Sequence, residues 1–269
     1  MNEPIKIVTI IQARMGSTRL PNKVMMPLAG KPLLLRMYER VDAANYTNTI
    51  IIATTEEEYD DPIVSLCKDN RIRYYRGNPT DLLDRHYKAA LPYNHDAVVK
   101  IPSDCPLIDP NIIDKVLKYY IDNKKIFDFV SNLHPASYPD GNDVEIFSAS
   151  ALKVAWLNAK KELEREHTTP YFWENQDKFN VGNVLWESGK DYSMSHRFTI
   201  DYEQDYKFIK TVYEELYTEE EIFSLQDILN LLDEKPEIKN INEKYAGVNW
   251  YRNHLDELKT ITKKNTRNI

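Results

Sequence analysis

Three cations and a run of small residues follow the first apolar stretch of the chain: Gln12-Ala13-Arg14-Met15-Gly16-Ser17-Thr18-Arg19-Leu20-Pro21-Asn22-Lys23. Arg14, Arg19 and Lys23 supply charge for phosphate oxygens, and small residues such as Gly16 and Ser17 let backbone N–H groups approach an anion. That equipment suits a triphosphate, although a solvated basic loop has the same composition. The run fits neither G-x-x-x-x-G-K-[ST] nor G-x-G-x-x-G, so P-loop and dinucleotide readings lose their main support. Glycine is scarce, seven in 269 residues, so a glycine just after a strand reads as serving a backbone need.

Two carboxylates form the second candidate group. Asp104 follows the apolar stretch Ala97 to Ile101, and Asp201 follows Arg197 to Ile200. Mg²⁺ is commonly held by one or two carboxylates together with phosphate oxygens, which this pair could provide. Each also has a plainer role, Asp104 capping a turn before Cys105-Pro106 and Asp201 capping the next helix. A third cluster holds Arg76, Gly77, Asp81 and Arg85. Either arginine could add a phosphate contact, or Asp81 and Arg85 could simply pair at i,i+4. Ala13 and Ala53 are small enough to leave room for a base and sugar.

Alternating elements must carry these groups. Strands are expected at Ile5 to Ile11, Thr49 to Thr54, Arg71 to Tyr75 and Ala97 to Ile101. Helices are expected at Lys31 to Ala44, Asp61 to Asp69, Leu82 to Ala90 and Pro110 to Lys124. Such alternation predicts a Rossmann-like three-layer α/β/α fold with a mainly parallel sheet. A doubly wound sheet binds ligands beyond the carboxyl ends of its strands, where the loop at 12–23 and Asp104 would both lie.

Beyond about residue 125 the pattern is less regular. Strands are expected at Phe127 to Ser131, Val144 to Phe147, Val181 to Trp186 and Arg197 to Ile200. Helices are expected at Ser150 to Ala159, Arg165 to Glu174, Gln204 to Leu216 and Leu225 to Leu232. We read one domain over 1–240 with an insertion at about 125–200, then a C-terminal extension over 241–269. The polar end, Lys259 to Ile269, is expected to fray.

A net charge of −7 argues against nucleic acid as the main partner. Two cysteines, Cys67 and Cys105, exclude a disulfide framework and a four-thiolate zinc site. No apolar run reaches the length of a membrane span, and the first residues lack a signal-peptide profile, so a cytoplasmic protein is expected.

The stretch Ile11 to Lys23 resembles the nucleotide-binding signature of the CMP-sugar synthetases, cytidylyltransferases that activate keto-deoxy and sialic acids. The likeness is strongest to the spore-coat-polysaccharide, SpsF-like branch. It continues through Gly30-Lys31-Pro32-Leu33, Ile52-Ala53-Thr54-Thr55, Arg76-Gly77, Ser103-Asp104-Cys105-Pro106-Leu107-Ile108, Tyr138-Pro139-Asp140-Gly141, Arg165-Glu166-His167 and Phe198-Thr199-Ile200-Asp201. The resemblance implies CTP as substrate and Mg²⁺ bound by Asp104 and Asp201. It implies that Gln12, Ala13, Arg14, Gly16, Ser17, Arg19, Lys23, Ala53, Thr54, Arg76, Arg85 and Asp104 surround the nucleotide. Arg14, Lys23, Asp104 and Asp201 would then serve catalysis.

The acceptor is expected in the insertion. Asp143 and Glu145 alternate with Val144 and Ile146, so both would face one side of a strand. With Asp140 and Gly141 they suit hydroxyl or ammonium groups, while Arg165 and His167, beside Glu166, would hold one acidic group. The expected acceptor is therefore small and polar, sugar-acid-like or phosphorylated, with at least one anionic group along with hydroxyl or amino groups. A homodimer is expected from the aromatics of the insertion: Phe127, Phe129, Tyr138, Trp156, Phe172, Trp173 and Trp186. Two alternatives remain. One is a nucleotide-sugar glycosyltransferase of related fold, against which Ser103-Asp104-Cys105 lacks the Asp-x-Asp metal motif. The other is a non-catalytic nucleotide-binding subunit.

Overall fold

A computed structural model describes residues 4–267. In chain order the elements are β1 (Ile7–Gln12), β2 (Pro27–Leu28), β3 (Lys31–Pro32), α1 (Leu33–Asp42), β4 (Thr49–Thr55), α2 (Asp61–Asp69), β5 (Arg73–Gly77), α3 (Leu82–Ala90), β6 (Ala97–Pro102) and α4 (Pro110–Asn123). They continue as β7 (Phe129–Ser131), β8 (Glu145–Ser148), α5 (Ala149–Asn158), α6 (Glu162–His167), α7 (Pro170–Trp173), β9 (Val181–Asn183), α8 (Glu203–Leu216), α9 (Leu225–Glu234) and α10 (Pro236–Asn240). The main sheet has seven strands in the order β5-β4-β1-β6-β8-β7-β9. β5, β4, β1 and β6 run parallel, β8 is antiparallel to β6 and β7, and β9 is parallel to β7.

The apolar runs of β1, β4 and β6 are continuous because both faces of the sheet are covered. Ile11 and Val99 pack with Met37 of α1, Cys67 of α2 and Val116 of α4 on one face. Val8 and Ile10 pack with Leu83 of α3, Leu152 of α5 and Phe172 of α7 on the other. A third cluster packs α8 and α9 against Phe198 and Ile200. The stretch 125–200 is part of the same body, since β7, β8 and β9 extend its sheet.

Four expectations need correction. Arg197 to Ile200 is not a strand; it is extended chain held by a single bridge between Asp140 and Arg197. Phe198 N donates to Asp140 O (2.7 Å) and Ile200 N to Asp104 O (2.8 Å), which aligns this segment without a ladder. The helix read at Arg165 to Glu174 is broken between α6 and α7, because Thr168 takes a left-handed φ of 69° and Pro170 cannot continue the preceding helix. The expected fraying does not hold for Lys259 to Arg267. Ile261 and Thr266 are buried, and Glu174 accepts the N–H groups of Lys259 (2.7 Å) and Thr260 (2.9 Å); residues 268 and 269 lie outside the described residues. Finally, of the seven aromatics expected to be exposed, Phe129, Tyr138, Phe172 and Trp173 are buried within the single chain, while Phe127, Trp156 and Trp186 are half-buried.

Candidate active site

Strand order reverses beside β1, so the loops after β1 and β6 open into one crevice. A cavity of about 490 Å³ fills it. Its rim on the β1 side is shaped by a buried carboxylate. Asp60 Oδ1 accepts Met15 N (2.7 Å) and its Oδ2 accepts Thr55 N (3.2 Å), tying the loop at 13–23 to the end of β4. Ala13 N donates to Ala53 O (3.0 Å) and Asn22, at φ 61°, returns its N–H to Met15 O (3.0 Å). The loop is thereby folded back on itself, leaving Arg14 exposed at the cavity with no hydrogen-bond or ion-pair partner among the described residues.

Arg85 lines the same cavity and is 3% exposed, yet its guanidinium donates only to the carbonyls of Asn78 and Pro79 (3.2 Å each). Burial, and secondarily the charge of Arg14, pull it down to about 10. A buried cation facing another cation, with no carboxylate salt bridge, calls for an anion. The i,i+4 pairing of Asp81 with Arg85 does not form. Asp81 caps α3 by accepting Asp84 N (2.8 Å), and its other oxygen takes Arg165 Nε (2.8 Å).

Across the crevice Lys23 Nζ lies 3.4 Å from Asp104 Oδ2 and 3.1 Å from Asp201 Oδ1. Asp201 also receives Arg19 (2.7 Å) and Arg197 (2.9 Å). Burial alone would raise the Asp201 carboxyl, but Lys23, Arg19 and Arg197 outweigh it and hold it below the usual carboxylate range. Burial likewise lowers Lys23, and Asp104 and Asp201 outweigh that effect, leaving it raised. Two carboxylate oxygens thus converge on one cation position. The Lys23 ammonium holds that position; as hard oxygen donors, Asp104 and Asp201 would also suit a divalent ion. Among the described residues no group of three or more His, Cys, Asp or Glu forms a complete metal site.

Arg197 organises this lattice and is 2% exposed. It reaches Asp140 (3.1 Å), Asp201 (2.9 Å) and Asp205 (3.0 Å), and donates to Val248 O (2.6 Å). Gly141 makes this possible. Its φ is +103°, and a Cβ there would stand 2.6 Å from the Phe198 carbonyl carbon, so only glycine lets the two segments meet.

On the far side, Asp140, Asp143, Glu145, Glu166 and His167 line the cavity. Glu145 pairs with Lys100 (2.5 Å). Asp143 has no cation partner among the described residues and is raised to about 7 by burial, then by Asp104. His167 is pushed down to about 3, chiefly by burial, and stacks on Trp250 at 3.9 Å.

The structure therefore brings Gln12, Ala13, Arg14, Ser17, Arg19, Lys23, Arg85, Asp104 and Asp201 to one cavity with the acidic group. It does not bring Gly16, Ala53, Thr54, Arg76, Gly141 or Arg165 to the cavity lining. Arg76 is turned to Thr55 O (3.0 Å), Glu57 O (2.8 Å) and Asp61 (2.6 Å), bracing β5 against α2. Arg165 is spent on Asp81 and on Trp156 O (2.7 Å), so it cannot serve an acceptor's acidic group there, and His167 is uncharged near neutrality. Sequence reasoning missed Asp60, Lys100, Arg197 and Trp250. Lys100 alone carried a clear signal, as the one charge within the apolar run Ala97 to Ile101.

Cations gathered at the switch point of such a sheet suit the phosphates of a nucleotide. Residues 8–241 match the cytidylyltransferase family model, and the chain belongs to that family of CTP-dependent enzymes. A cytidylyltransferase structure from Leptospira borgpetersenii serovar Hardjo-bovis superposes with a TM-score of 0.82 at 34% identity, covering 87% of this chain and 97% of that one. The spore coat polysaccharide biosynthesis protein SpsF of Bacillus subtilis is 28% identical over 86% of this chain and 95% of its own. The 3-deoxy-manno-octulosonate cytidylyltransferase of Solibacter usitatus is 39% identical over 41% of this chain, which spans 43% of that relative. The CMP-sugar-synthetase, SpsF-like resemblance and the α/β nucleotidyltransferase fold are therefore shown.

Proposed function

We propose that this enzyme transfers the cytidylyl group of CTP to a hydroxyl of a small sugar-like acceptor in surface-polysaccharide biosynthesis. The acceptor oxygen forms a bond to the α-phosphorus while the bond to the β-phosphate bridging oxygen breaks, releasing pyrophosphate. The observation that carries this reading is the pair Arg14 and Arg85, cations without a counter-ion, facing Asp104 and Asp201 across one cavity. Arg14 and Arg85 bind phosphate oxygens, and Arg19 and Lys23 neutralise the leaving pyrophosphate. Asp104 and Asp201 would hold Mg²⁺, which supplies charge neutralisation at the phosphates when bound. Asp104 is the more available ligand, since Asp201 is already met by three cations. Asp143, which lines the cavity beside Asp104 and has no cation partner among the described residues, is placed to receive the acceptor's proton. The likeness to SpsF and to a 3-deoxy-manno-octulosonate cytidylyltransferase supports the polysaccharide role and a sugar-acid acceptor.

A pyrophosphate-release screen pairing each nucleoside triphosphate with sugar acids, with and without chelator, tests this reading. CTP-specific, chelator-sensitive release is expected. A nucleoside diphosphate product would point to glycosyl transfer, and CTP binding without turnover on any acceptor would point to a non-catalytic subunit.

A further inference from the structure

We propose that the segment from Gly247 to Asn265, beyond the family-matched region, is the acceptor-side wall of the active site. It selects acceptors whose far end bears hydroxyl or amino groups and rejects those with an acidic far end. This rests on the cytidylyl-transfer reading above.

Val248, Trp250, Tyr251, Ile261 and Lys264 line the same cavity as Arg14 and Asp104. The segment is anchored on both flanks. Val248 O receives Arg197, Arg267 N returns to Gly247 O (2.7 Å), and Glu174 holds the backbone at Lys259 and Thr260. Leu258 and Ile261 are buried in the core beneath the sheet. The wall is thus built into the fold.

Its lining is mainly aromatic, with the exposed Lys264 its one charged residue. Trp250 stacks on His167, and Tyr251 stands edge-on to Trp173 (6.3 Å) beside His134 (6.0 Å). Burial keeps both imidazoles neutral, His134 at about 4 and His167 at about 3. The buried cations nearby are already committed, Lys100 to Glu145 and Arg197 to Asp140, Asp201 and Asp205, while Lys264 is exposed. An acidic group moved against Trp250 and Tyr251 would lose water and meet Asp143 and Glu166, and the wall would offer it only Lys264, an exposed cation whose attraction is screened by solvent. A hydroxyl or amine finds carboxylate acceptors, and the C–H face of a sugar packs on the electron-rich faces of aromatic rings.

The test uses the full chain with CTP, Mg²⁺ and three acceptors sharing one reacting end: 3-deoxy-manno-octulosonate, its 8-amino-8-deoxy analogue and its 8-phosphate. Pyrophosphate release should favour the first two over the phosphate by at least about tenfold in kcat/KM. Trp250→Ala should raise their KM about tenfold with CTP affinity within about twofold, and Trp250→Phe should recover most of the loss. Should Trp250→Ala fail to fold, Trp250→Leu reads the same KM, with the aromatic face removed and an apolar filler kept in its place. Preference for the phosphate, unchanged acceptor kinetics in the variants, or equal loss of CTP and acceptor binding overturns the inference alone. CTP binding with no turnover of any of the three overturns the inference together with the sugar-acid reading of the reaction.

Discussion

The two sides of the cavity are built on opposite principles. The side assigned to the nucleotide draws Arg14, Arg19 and Lys23 from one loop of twelve residues; among the described residues Arg14 has no partner, and Arg85, buried in the same cavity, has no carboxylate salt bridge. The side proposed for the acceptor gathers Lys100, His134, Asp143, Glu145, His167 and Trp250 from distant parts of the chain and neutralises most charges internally. One side is preorganised for a polyanion whatever else the molecule does. The other is shaped for a ligand recognised by contour and hydrogen bonds.

Arg197→Leu joins the two sides and should have the largest effect. Removing a buried cation that serves three carboxylates should cost about 3–5 kcal/mol in unfolding free energy, measured by denaturant titration. If the loss stays within about 1 kcal/mol, the two halves are held together by something else. Asp104→Asn comes next. Its contacts are loose, so melting should change little while kcat falls by about 100-fold or more. Arg85→Ala should weaken CTP binding about 10- to 100-fold, since a charge-assisted hydrogen bond contributes about 1.5–3 kcal/mol, and should leave acceptor KM nearly unchanged. Equal changes in both constants would erase the division between the sides.

The smallest effect is on pH. The unfolded chain protonates its histidines near pH 6.5, but folded His86 and His167 resist to about 3, and His134 and His196 to about 4. Over that range the four imidazoles make the unfolded state bind more protons, offset in part by Asp140 and Asp143, which the fold keeps protonated to higher pH; with four groups against two, stability should fall on acidification from about 6.5. Melting scans from pH 7 to 4.5 should show this decline, with a shallower slope in His167→Gln.

The same contrast explains what could be read in advance. α2 and α3 fall at the expected residues, because continuous apolar faces, Pro62 and the Asp81 cap declare them locally. The loop at 12–23 was legible because its cations are adjacent in sequence. Arg165 was misplaced because a charge is neutral evidence until the fold chooses its partner, here Asp81, 84 residues away. Arg197 to Ile200 alternates like a strand, yet its hydrogen bonds go to Asp140 and Asp104 instead of a ladder. The role of 247–265 was invisible for a related reason. It is polar and irregular, and only tertiary contacts with Glu174 and Arg197 give it a fixed path.

Synthesis runs from the amino end, so Lys23 and Asp104 emerge long before Trp250. The sheet and its polyanion crevice can assemble while the chain is still growing, but Val248 reaches Arg197 only near the end. On the proposed reading, a chain cut before Val248 would keep the residues assigned to the triphosphate and lose the wall assigned to the second substrate.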